Sequence, residues 1–458
     1  MTAVLDRWVD AHRDQHLDLL FRLVRQPSIS AQGVGVEECA ALLMETMRDV
    51  GLEPSLISTP GQPVVYGERI EDPSRPTVLF YGHYDVQPPE PLELWQSPPF
   101  EPTIRDGRIY ARGIADNKGQ HLAHLLAIQA FREVQGRVPV NVKVVLEGEE
   151  ESASPNLAAF VRQHRRRLRA DLAYTADGGM HPSGRPIVCF GVRGILYVEL
   201  ETRGAASDYH SGNKGNVLPN PAWELVELLA KMRDEKGRVR IPGFYRRVRP
   251  PSAYEREALR RIPFDRKEFL REHGLRTTPI AGGAEFYRRL MFEPTLNIAG
   301  FTSGYGGPGA KTIIPGRALL KMDMRLVVDQ DPEEIFRAFR RFAAAHAPGA
   351  AVRKIGAVPP SRTPPDLPVC RAVMGAVAQA QGKAPVIVPA LGGTLPDYVF
   401  TKILKMPSVV VPYANHDESN HAPNENMKVD LFFAGIKTSI AVMEALGRMP
   451  KEGARWRG

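Results

Sequence analysis

The sequence predicts an α/β protein with two domains: a mixed sheet with helices on both faces, and an α+β domain inserted between the two parts of the first. Short strand patterns are interleaved with helical patterns towards both ends of the chain, as in layered α/β domains. The middle of the chain carries strands and helices of its own. The whole chain has 458 residues, which exceeds the roughly 250–300 residues at which a single hydrophobic core stops growing.

The first domain is predicted from four strand patterns and the helix between the first two of them. The strands are 77–81, 138–146, 172–175 and 408–411, and the helix is 120–134. Histidine or carboxylate side chains follow each of the four strands. Because reactive groups in α/β domains gather beyond the carboxyl ends of the strands, we expect these side chains to converge.

The middle region is predicted to be the inserted domain. It opens with an alternating strand at 195–201 and closes with a strand at 318–328 and a helix at 332–345. Residues of the metal-ligand type lie on both sides of it. We therefore assign residues 1–190 and 367–458 to the first domain and residues 191–366 to the insertion, with joints near Phe190 and in the proline-rich stretch 359–368.

Composition and charge exclude several classes of protein. Charged residues make up 24% and hydrophobic residues 43% of the chain, which are ordinary values for a globular protein and disfavour disorder. The net charge is +8, but acidic and basic residues are interleaved. The arginine-rich run 162–169 is predicted to be the solvated face of a helix. We therefore expect no nucleic-acid partner.

The cysteines and the apolar segments predict a cytoplasmic location. Three widely spaced cysteines argue against a disulfide framework and against a cysteine zinc site. Charged residues interrupt the first 20 residues, unlike a secretory signal, and no apolar run approaches the length that spans a bilayer. We therefore expect a cytoplasmic protein without a membrane partner.

His83 and Asp85 follow the strand 77–81, and alternation along a strand points both side chains to the same side. One of them can bind a metal ion while the other orients it, since a carboxylate on the far nitrogen of a liganding histidine fixes the tautomer. By itself, however, such a triplet more often consists of ordinary turn residues.

Other carboxylates and histidines have both a metal-binding and an ordinary interpretation. Asp116 lies in a glycine-flanked turn that opens a helix, where an N-cap is the ordinary interpretation. The three carboxylates of 149–151 repel one another unless a cation or solvent relieves them. Asp177 is either a ligand or a turn former, and His421 is either a ligand or a loop histidine. Together with His83 they form a mixed nitrogen and oxygen set that suits zinc, with manganese or cobalt as alternatives.

Three histidines that lie close in sequence to the candidate ligands are not interpreted as ligands themselves. His416 shares the loop of His421 but lacks its sequence context. His121 and His124 are placed on the polar, solvent-facing side of the helix 120–134. None of the three is expected to bind metal.

Four segments resemble the metal motifs of the di-zinc metallopeptidases, the family that includes cytosolic nonspecific dipeptidases, carnosinases, aminoacylases and the deacylases of arginine and lysine biosynthesis. The segments are 82–88 (GHYDVQP), 113–119 (GIADNKG), 146–152 (LEGEEES) and 421–425 (HAPNE). They follow the order of the family's motifs, and the resemblance extends over nearly the whole chain. Segments 292–298, 309–315 and 324–327 resemble the dipeptidase and carnosinase branch in particular.

The resemblance implies a site for two divalent ions. Asp116 would bridge both ions. His83 and Asp177 would complete the ligands of one ion, and Glu151 and His421 those of the other.

The resemblance also implies the residues that handle protons. Glu150 would be the general base that takes a proton from water and returns it to the departing amine, and Asp85 would support His83. Members of the family usually have no acidic residue at the position of Glu149. A shift of these roles by one residue along the three glutamates therefore stays open. A cis peptide bond after Asp116 is implied as well.

In the inserted domain, the resemblance implies one residue that acts on the neighbouring subunit. His210 would reach the site of the partner in a homodimer and stabilise the oxyanion; the ordinary interpretation is a surface histidine. Arg325 would bind the substrate carboxylate through two parallel hydrogen bonds. Thr312, Gly393 and Thr394 resemble further substrate contacts, although a strand threonine and a glycine turn explain them equally well.

These observations and the resemblance together predict a cytoplasmic, homodimeric dipeptidase with two divalent metal ions, of which zinc is favoured by ligand type, and a small peptide as its substrate. The inserted domain would act as a lid and as the dimerisation surface. An N-acyl amino acid deacylase with the same metals is the first alternative. A non-catalytic binding protein on the same scaffold is the second.

Overall fold

The computed structural model describes residues 2–451. Its strands are β1 (Glu53–Ile57), β2 (Val64–Arg69), β3 (Thr77–His83), β4 (Thr103–Arg105), β5 (Arg108–Tyr110), β6 (Asn141–Glu147), β7 (Leu172–Thr175), β8 (Ile187–Cys189), β9 (Gly191–Val192), β10 (Gly194–Arg203), β11 (Tyr209–His210), β12 (Asn297–Ser303), β13 (Ile313–Ile314), β14 (Arg317–Leu326), β15 (Ala351–Val358), β16 (Ser361–Arg362), β17 (Val386–Val388), β18 (Ser408–Val410) and β19 (Asn426–Lys428). Its α-helices are α1 (Thr2–Ala11), α2 (Arg13–Arg25), α3 (Val36–Asp49), α4 (Gly119–Gln135), α5 (Leu157–Gln163), α6 (Ser211–Lys214), α7 (Pro221–Met232), α8 (Ala253–Arg261), α9 (Arg266–Glu272), α10 (Gly283–Phe292), α11 (Pro332–His346), α12 (Pro368–Gln381) and α13 (Val429–Gly447).

The larger sheet has eight strands in the order β1-β2-β6-β3-β7-β18-β8-β17. Strands β6, β3, β7 and β18 run parallel to one another, whereas β1, β2 and the β18–β8 pair introduce antiparallel neighbours. The sheet is therefore mixed, as the sequence predicts. The four parallel strands end at one edge of the sheet, which is where their strand-end side chains meet.

Apolar side chains cover both faces of this sheet. Alternation along β3 sends Phe80 to one face and Tyr81 to the other. The first face packs against a layer that includes α3, α4, α12 and α13. The second packs against α5 and a helical turn, Val399–Leu404, through residues such as Phe160 and Phe400. Helices on both faces confirm the predicted fold class.

The second sheet is antiparallel, with the strand order β12-β14-β10-β15. All four strands come from the middle of the chain. Helices α7 and α11 cover one face, where Leu196, Leu225 and Phe339 belong to a separate core. The limits of the inserted domain stay a prediction, but one part of the predicted insertion packs elsewhere: α8 and α10 cover β17 and β8 of the larger sheet.

Apart from the helix through the arginine-rich run, the predicted strands and helices are present, with ends that differ by up to three residues. The strand predicted at 138–146 begins only at Asn141, because Pro139 cannot donate a ladder hydrogen bond. The helix predicted for the arginine-rich run is wrong beyond Gln163, where α5 ends. There the chain turns so that Leu168 is buried, and the Arg167 guanidinium lies 4.2 Å from the Tyr66 ring centroid.

The solvent-facing placement of His121 and His124 is also wrong. Both are only 1% exposed, because α4 lies under α1 and α13 and is buried on nearly all sides. His124 packs against the rings of Phe80 and Tyr174, and its Nδ1 lies 2.9 Å from the Ser439 hydroxyl. No helix in the described part of the chain has the length and apolar character needed to cross a membrane.

Candidate active site

The carboxyl ends of the four parallel strands bring the predicted site residues together. His83 ends β3, the acidic run 149–151 follows β6, and Asp177 follows β7. His421 lies in the loop between β18 and β19. Asp116 is supplied from the turn before α4, which packs beside β3. Residues far apart in the sequence therefore share one edge of the sheet.

Asp116 lies at the centre of this cluster. Its Oδ1 is 3.0 Å from His83 Nε2, and its Oδ2 is 3.1 Å from His421 Nε2. Asp177 lies on the His83 side, with 3.9 Å between its Oδ2 and His83 Nε2. Glu151 lies on the other side, with its Oε2 3.1 Å from His421 Nε2. Two groups of three therefore share Asp116, and the ligand-type atoms within each group lie within 4.8 Å of one another.

The cluster holds more carboxylates than its two histidines can neutralise. Burial, followed by the charge of Asp116, raises the pKa of Asp177 to about 7. Burial also acts to raise the pKa of Asp116, but hydrogen bonds with His421 and His83 outweigh it and hold that pKa below its ordinary value. Hydrogen bonds with Asp116 and Glu151 raise the pKa of His421 to about 10. Packed carboxylates with opposed pKa shifts form an environment that favours bound cations.

The three consecutive glutamates point in different directions. Glu149 accepts a hydrogen bond of 2.8 Å from the Asn156 amide, whereas Glu150 and Glu151 line a cleft with Asp116. Burial raises the pKa of Glu150 well above its ordinary value, against the opposing effect of His83. The geometry favours Glu150 over Glu149 as the group that faces a substrate.

The cleft above the cluster has a volume of about 580 Å³ and also contains residues of the middle region. Arg325, Gly393 and Thr394 line it together with Glu150 and His421. The Arg325 guanidinium donates a 2.9 Å hydrogen bond to the Thr394 hydroxyl. That hydroxyl in turn donates to the Arg193 carbonyl at 2.8 Å, so the guanidinium is held in place beside the cluster.

Comparison with known proteins decides the family of this chain. Residues 79–445 match the model of peptidase family M20/M25/M40. The chain belongs to this family. It is therefore a hydrolase of the peptidase class.

Relatives of the M20 chain include named dipeptidases. It is 32% identical to Beta-Ala-His dipeptidase of Mus musculus over 349 residues, which cover 72% of this chain and 71% of that protein. It is 28% identical to Cys-Gly metallodipeptidase DUG1 of Saccharomyces cerevisiae over 421 residues, which cover 88% of this chain and 87% of that protein.

Solved structures show the same architecture. The M20 family metallo-carboxypeptidase Sso-CP2 from Sulfolobus solfataricus aligns with a TM-score of 0.88 at 35% identity, over 95% of this chain and 99% of that one. Human carnosine dipeptidase 1 aligns with a TM-score of 0.79 at 27% identity, over 98% and 99% of the two chains. The recognised resemblance and the fold class are confirmed.

Asp85 contacts more of the M20 site than the sequence suggests. His83 Nδ1 lies 3.0 Å from the backbone carbonyl of Asp85 and 3.4 Å from its carboxylate. The carboxylate accepts hydrogen bonds from the backbone N–H groups of Glu150 and Glu151, both at 3.1 Å, and from the Ser30 hydroxyl at 2.7 Å. It therefore links His83 to the acidic turn as well as orienting it. Ser30 carries no sequence signal for this contact.

Glu425 is a second residue whose role in this M20 site the sequence did not reveal, although it stands in the segment 421–425. Its buried carboxylate accepts backbone hydrogen bonds from Gly113, Ala115 and Asp116 at 2.9 to 3.0 Å. It also accepts a 2.8 Å bond from the buried Arg112 guanidinium. These donors fix the turn that carries Asp116, in which the Asp116–Asn117 bond is cis as the sequence implies.

His210 and Thr312 lie apart from the cleft. Strand β11 pairs with β13 in an exposed two-stranded ribbon that places His210 opposite Ile313. The backbone N–H of Ser211 donates to the Thr312 carbonyl at 3.1 Å. Neither His210 nor Thr312 lines the cleft around Asp116. The single chain thus does not bring these two residues to the M20 site.

Proposed function

We propose that this protein hydrolyses dipeptides, or similar short amides with a free carboxylate, with the help of two divalent metal ions. One observation carries the proposal: two groups of ligand-type side chains share Asp116, and Glu150 and Arg325 lie in the same cleft. The relatives named as Beta-Ala-His and Cys-Gly dipeptidases support a dipeptide as the substrate.

The side chains fit a pair of divalent ions. His83 and Asp177 would hold one ion, Glu151 and His421 the other, and Asp116 both. This mixed nitrogen and oxygen set suits zinc and also accepts manganese or cobalt. When bound, the ions supply Lewis-acid polarisation of the scissile carbonyl and lower the pKa of a water molecule.

The protein's own groups supply proton transfer and orientation. The Glu150 carboxylate accepts a proton from the attacking water and donates it to the nitrogen of the departing amine. Asp85 holds the Glu150 backbone and His83 in one arrangement, so the base keeps its place beside the cluster. The Arg325 guanidinium binds the terminal carboxylate of the substrate through two parallel hydrogen bonds.

The proposed active form is a homodimer in which His210 acts on the partner subunit's site. Exposed apolar side chains on the middle region support such a contact. Ile298 and Phe301 lie on β12, whose outer edge is free in the described chain, and Trp223 on α7 is 64% exposed. Exposed apolar surface and free strand edges are typical of surfaces that pair. A cytoplasmic location is proposed because all three cysteines are buried free thiols.

The test combines metal analysis with a substrate panel. The purified protein should contain two divalent ions per chain, lose activity on dialysis against a chelator and regain it with zinc, manganese or cobalt. The panel pairs β-Ala-His and Cys-Gly with N-acetyl and N-succinyl amino acids. Faster hydrolysis of the acylated amino acids would establish the deacylase alternative. Failure to bind metal and to cleave any amide would leave only the binding-protein alternative.

A further inference from the structure

A second cleft, outside the active site, is lined by positive charge. It has a volume of about 920 Å³ and shares no lining residue with the cleft around Asp116. Six of its side chains are cationic: Arg246, Arg247, Arg249, Arg362, Lys402 and Lys405. We call it the basic cleft.

The carboxylates around the basic cleft do not balance these cations. Glu334 is shared between two of the arginines, at 3.3 Å from Arg246 and 2.6 Å from Arg247. Asp329 pairs with Arg249 at 2.5 Å. Arg362 pairs with Glu255.

The remaining carboxylate is only partly available to the lysines. Asp331 lines the basic cleft, but its side chain caps α11 by accepting from the N–H groups of Glu333 and Glu334. Four carboxylates therefore stand against six cations. The basic cleft therefore has an excess of two positive charges, which an anion with at least two negative charges would balance.

Lys402 and Lys405 carry this surplus. Among the described residues, neither ammonium group makes an ion pair or a hydrogen bond. Burial lowers the pKa of Lys402, although Asp331 and Asp329 act in the opposite direction. An ammonium group that is partly removed from water and makes no ion pair is stabilised by an anionic ligand.

The lining also indicates the chemistry of the anion. Guanidinium groups bind phosphoryl oxygens through paired hydrogen bonds, and lysines add point charges. A phosphoryl group concentrates close to two negative charges in a small volume at neutral pH. The residues around the basic cleft include no aromatic side chain on which a nucleobase could stack. We propose that the basic cleft binds a small non-aromatic molecule with at least one phosphoryl group.

The basic cleft is shared between parts of the chain that belong to different sheets. Arg246 to Arg249 and Asp329 to Asp331 come from the middle region. Lys402 lies on the turn Val399–Leu404, which packs on the larger sheet. Arg362 lies on β16, which pairs with β9 directly after strand β8 of that sheet. A bound anion contacts both parts at once, so it raises the Tm of the folded protein.

The experiment is calorimetric titration of the full, metal-loaded protein with fructose bisphosphate, with fructose as the uncharged control. We expect binding that weakens as salt rises, since charge attraction is screened, and a higher Tm with ligand. The double variant Lys402→Gln/Lys405→Gln should bind at least tenfold more weakly. Its dipeptide hydrolysis should equal that of the wild type and its Tm without ligand should be no lower, which separates this proposal from the proposed function.

The matched control is Arg337→Gln/Arg340→Gln, which removes the same charge from a different surface groove and should leave the affinity unchanged. Equal weakening in both double variants would mean non-specific charge attraction and would overturn the proposal. Unchanged affinity in the lysine variant would place the ligand elsewhere, for example on the metal ions, and would overturn it too. Binding of ATP without binding of fructose bisphosphate would contradict the non-aromatic class.

Discussion

Two neighbouring glutamates, Glu149 and Glu150, differ in what their carboxylates contact. Glu149 is engaged by Asn156, whereas Glu150 faces the cleft. The variant Glu150→Gln should lower kcat/KM for a dipeptide roughly 100- to 10,000-fold, the usual contribution of a general base, with the metal content per chain unchanged. Steady-state kinetics and metal analysis measure both quantities. Glu149→Gln is the matched control, and loss of activity in that variant alone would shift the role by one residue.

Arg325 is predicted to act on the charged end of the substrate. Its guanidinium is fixed by Thr394 within the active-site cleft, and lysine cannot reproduce two parallel hydrogen bonds. Arg325→Lys should therefore lower kcat/KM for a dipeptide by about tenfold or more. The same dipeptide with an amidated carboxyl end should be hydrolysed slowly by both proteins, with little difference between them. A similar loss on both substrates would show that Arg325 has another task.

Glu425, directly before strand β19, connects this part of the chain to the turn that carries Asp116. Its carboxylate accepts hydrogen bonds from three backbone N–H groups and from Arg112. Glu425→Gln removes the charge and replaces one acceptor with a donor, so the turn should lose its fixed shape. We expect metal affinity to fall roughly 10- to 100-fold, as for other residues that orient liganding groups. Competition with a metal-binding dye measures it, and Glu444→Gln on α13 is the control.

The helix α2 should make the protein sensitive to acid through His16. This residue is buried beside Trp8 and Phe433, and neither ring nitrogen has a hydrogen-bond partner among the described residues. Burial, followed by the charge of His12, lowers the pKa of His16 to about 4. The unfolded chain, with a histidine pKa of about 6.5, then binds the proton more readily, so His16 destabilises the folded state increasingly as the pH falls from about 6.5 towards 4.

Replacing His16 by phenylalanine removes both the unpaired nitrogens and the titration. His16→Phe should raise the free energy of unfolding by about 1 kcal/mol at pH 8, because a buried unsatisfied polar group is lost. Its advantage over the wild type should grow at pH 5. Urea unfolding of metal-free protein at both values measures this. The exposed His273 offers the control His273→Phe, and an advantage that is constant with pH would contradict the assigned titration.

Local patterns predicted the elements that depend on near neighbours in the sequence. The strands that carry His83 and Asp177, and the turn with Asp116, follow from apolar runs and glycine-flanked segments. Contacts between distant segments leave no such pattern in the sequence. Examples are the hydrogen bond from Ser30 to Asp85, the hydrogen bonds from the Asp116 turn to Glu425, and the packing of α8 against β17. His121 and His124 were misplaced for the same reason. The helical period distinguishes faces, but it does not tell that α1 and α13 cover the outer face of α4.

The site is assembled from residues across the length of the chain. His83 and His421 contact the same aspartate although they lie 338 positions apart in the sequence. The larger sheet contains strands from both sides of the middle region, so the folding of both ends is required before the two groups of ligands exist. Metal binding should therefore stabilise the entire larger sheet rather than one loop.

The proposed homodimer can be tested with two inactive variants. If His210 acts on the partner subunit's site, a heterodimer of His210→Ala and Glu150→Gln chains contains one complete site. That site combines Glu150 of the first chain with His210 of the second. Both homodimers should be inactive, because each of their sites lacks one group. The heterodimer, purified through two different affinity tags after co-expression, should recover about half of the wild-type kcat, since one of the two sites in a symmetric dimer is intact. A heterodimer as inactive as its parents would show that His210 serves its own chain.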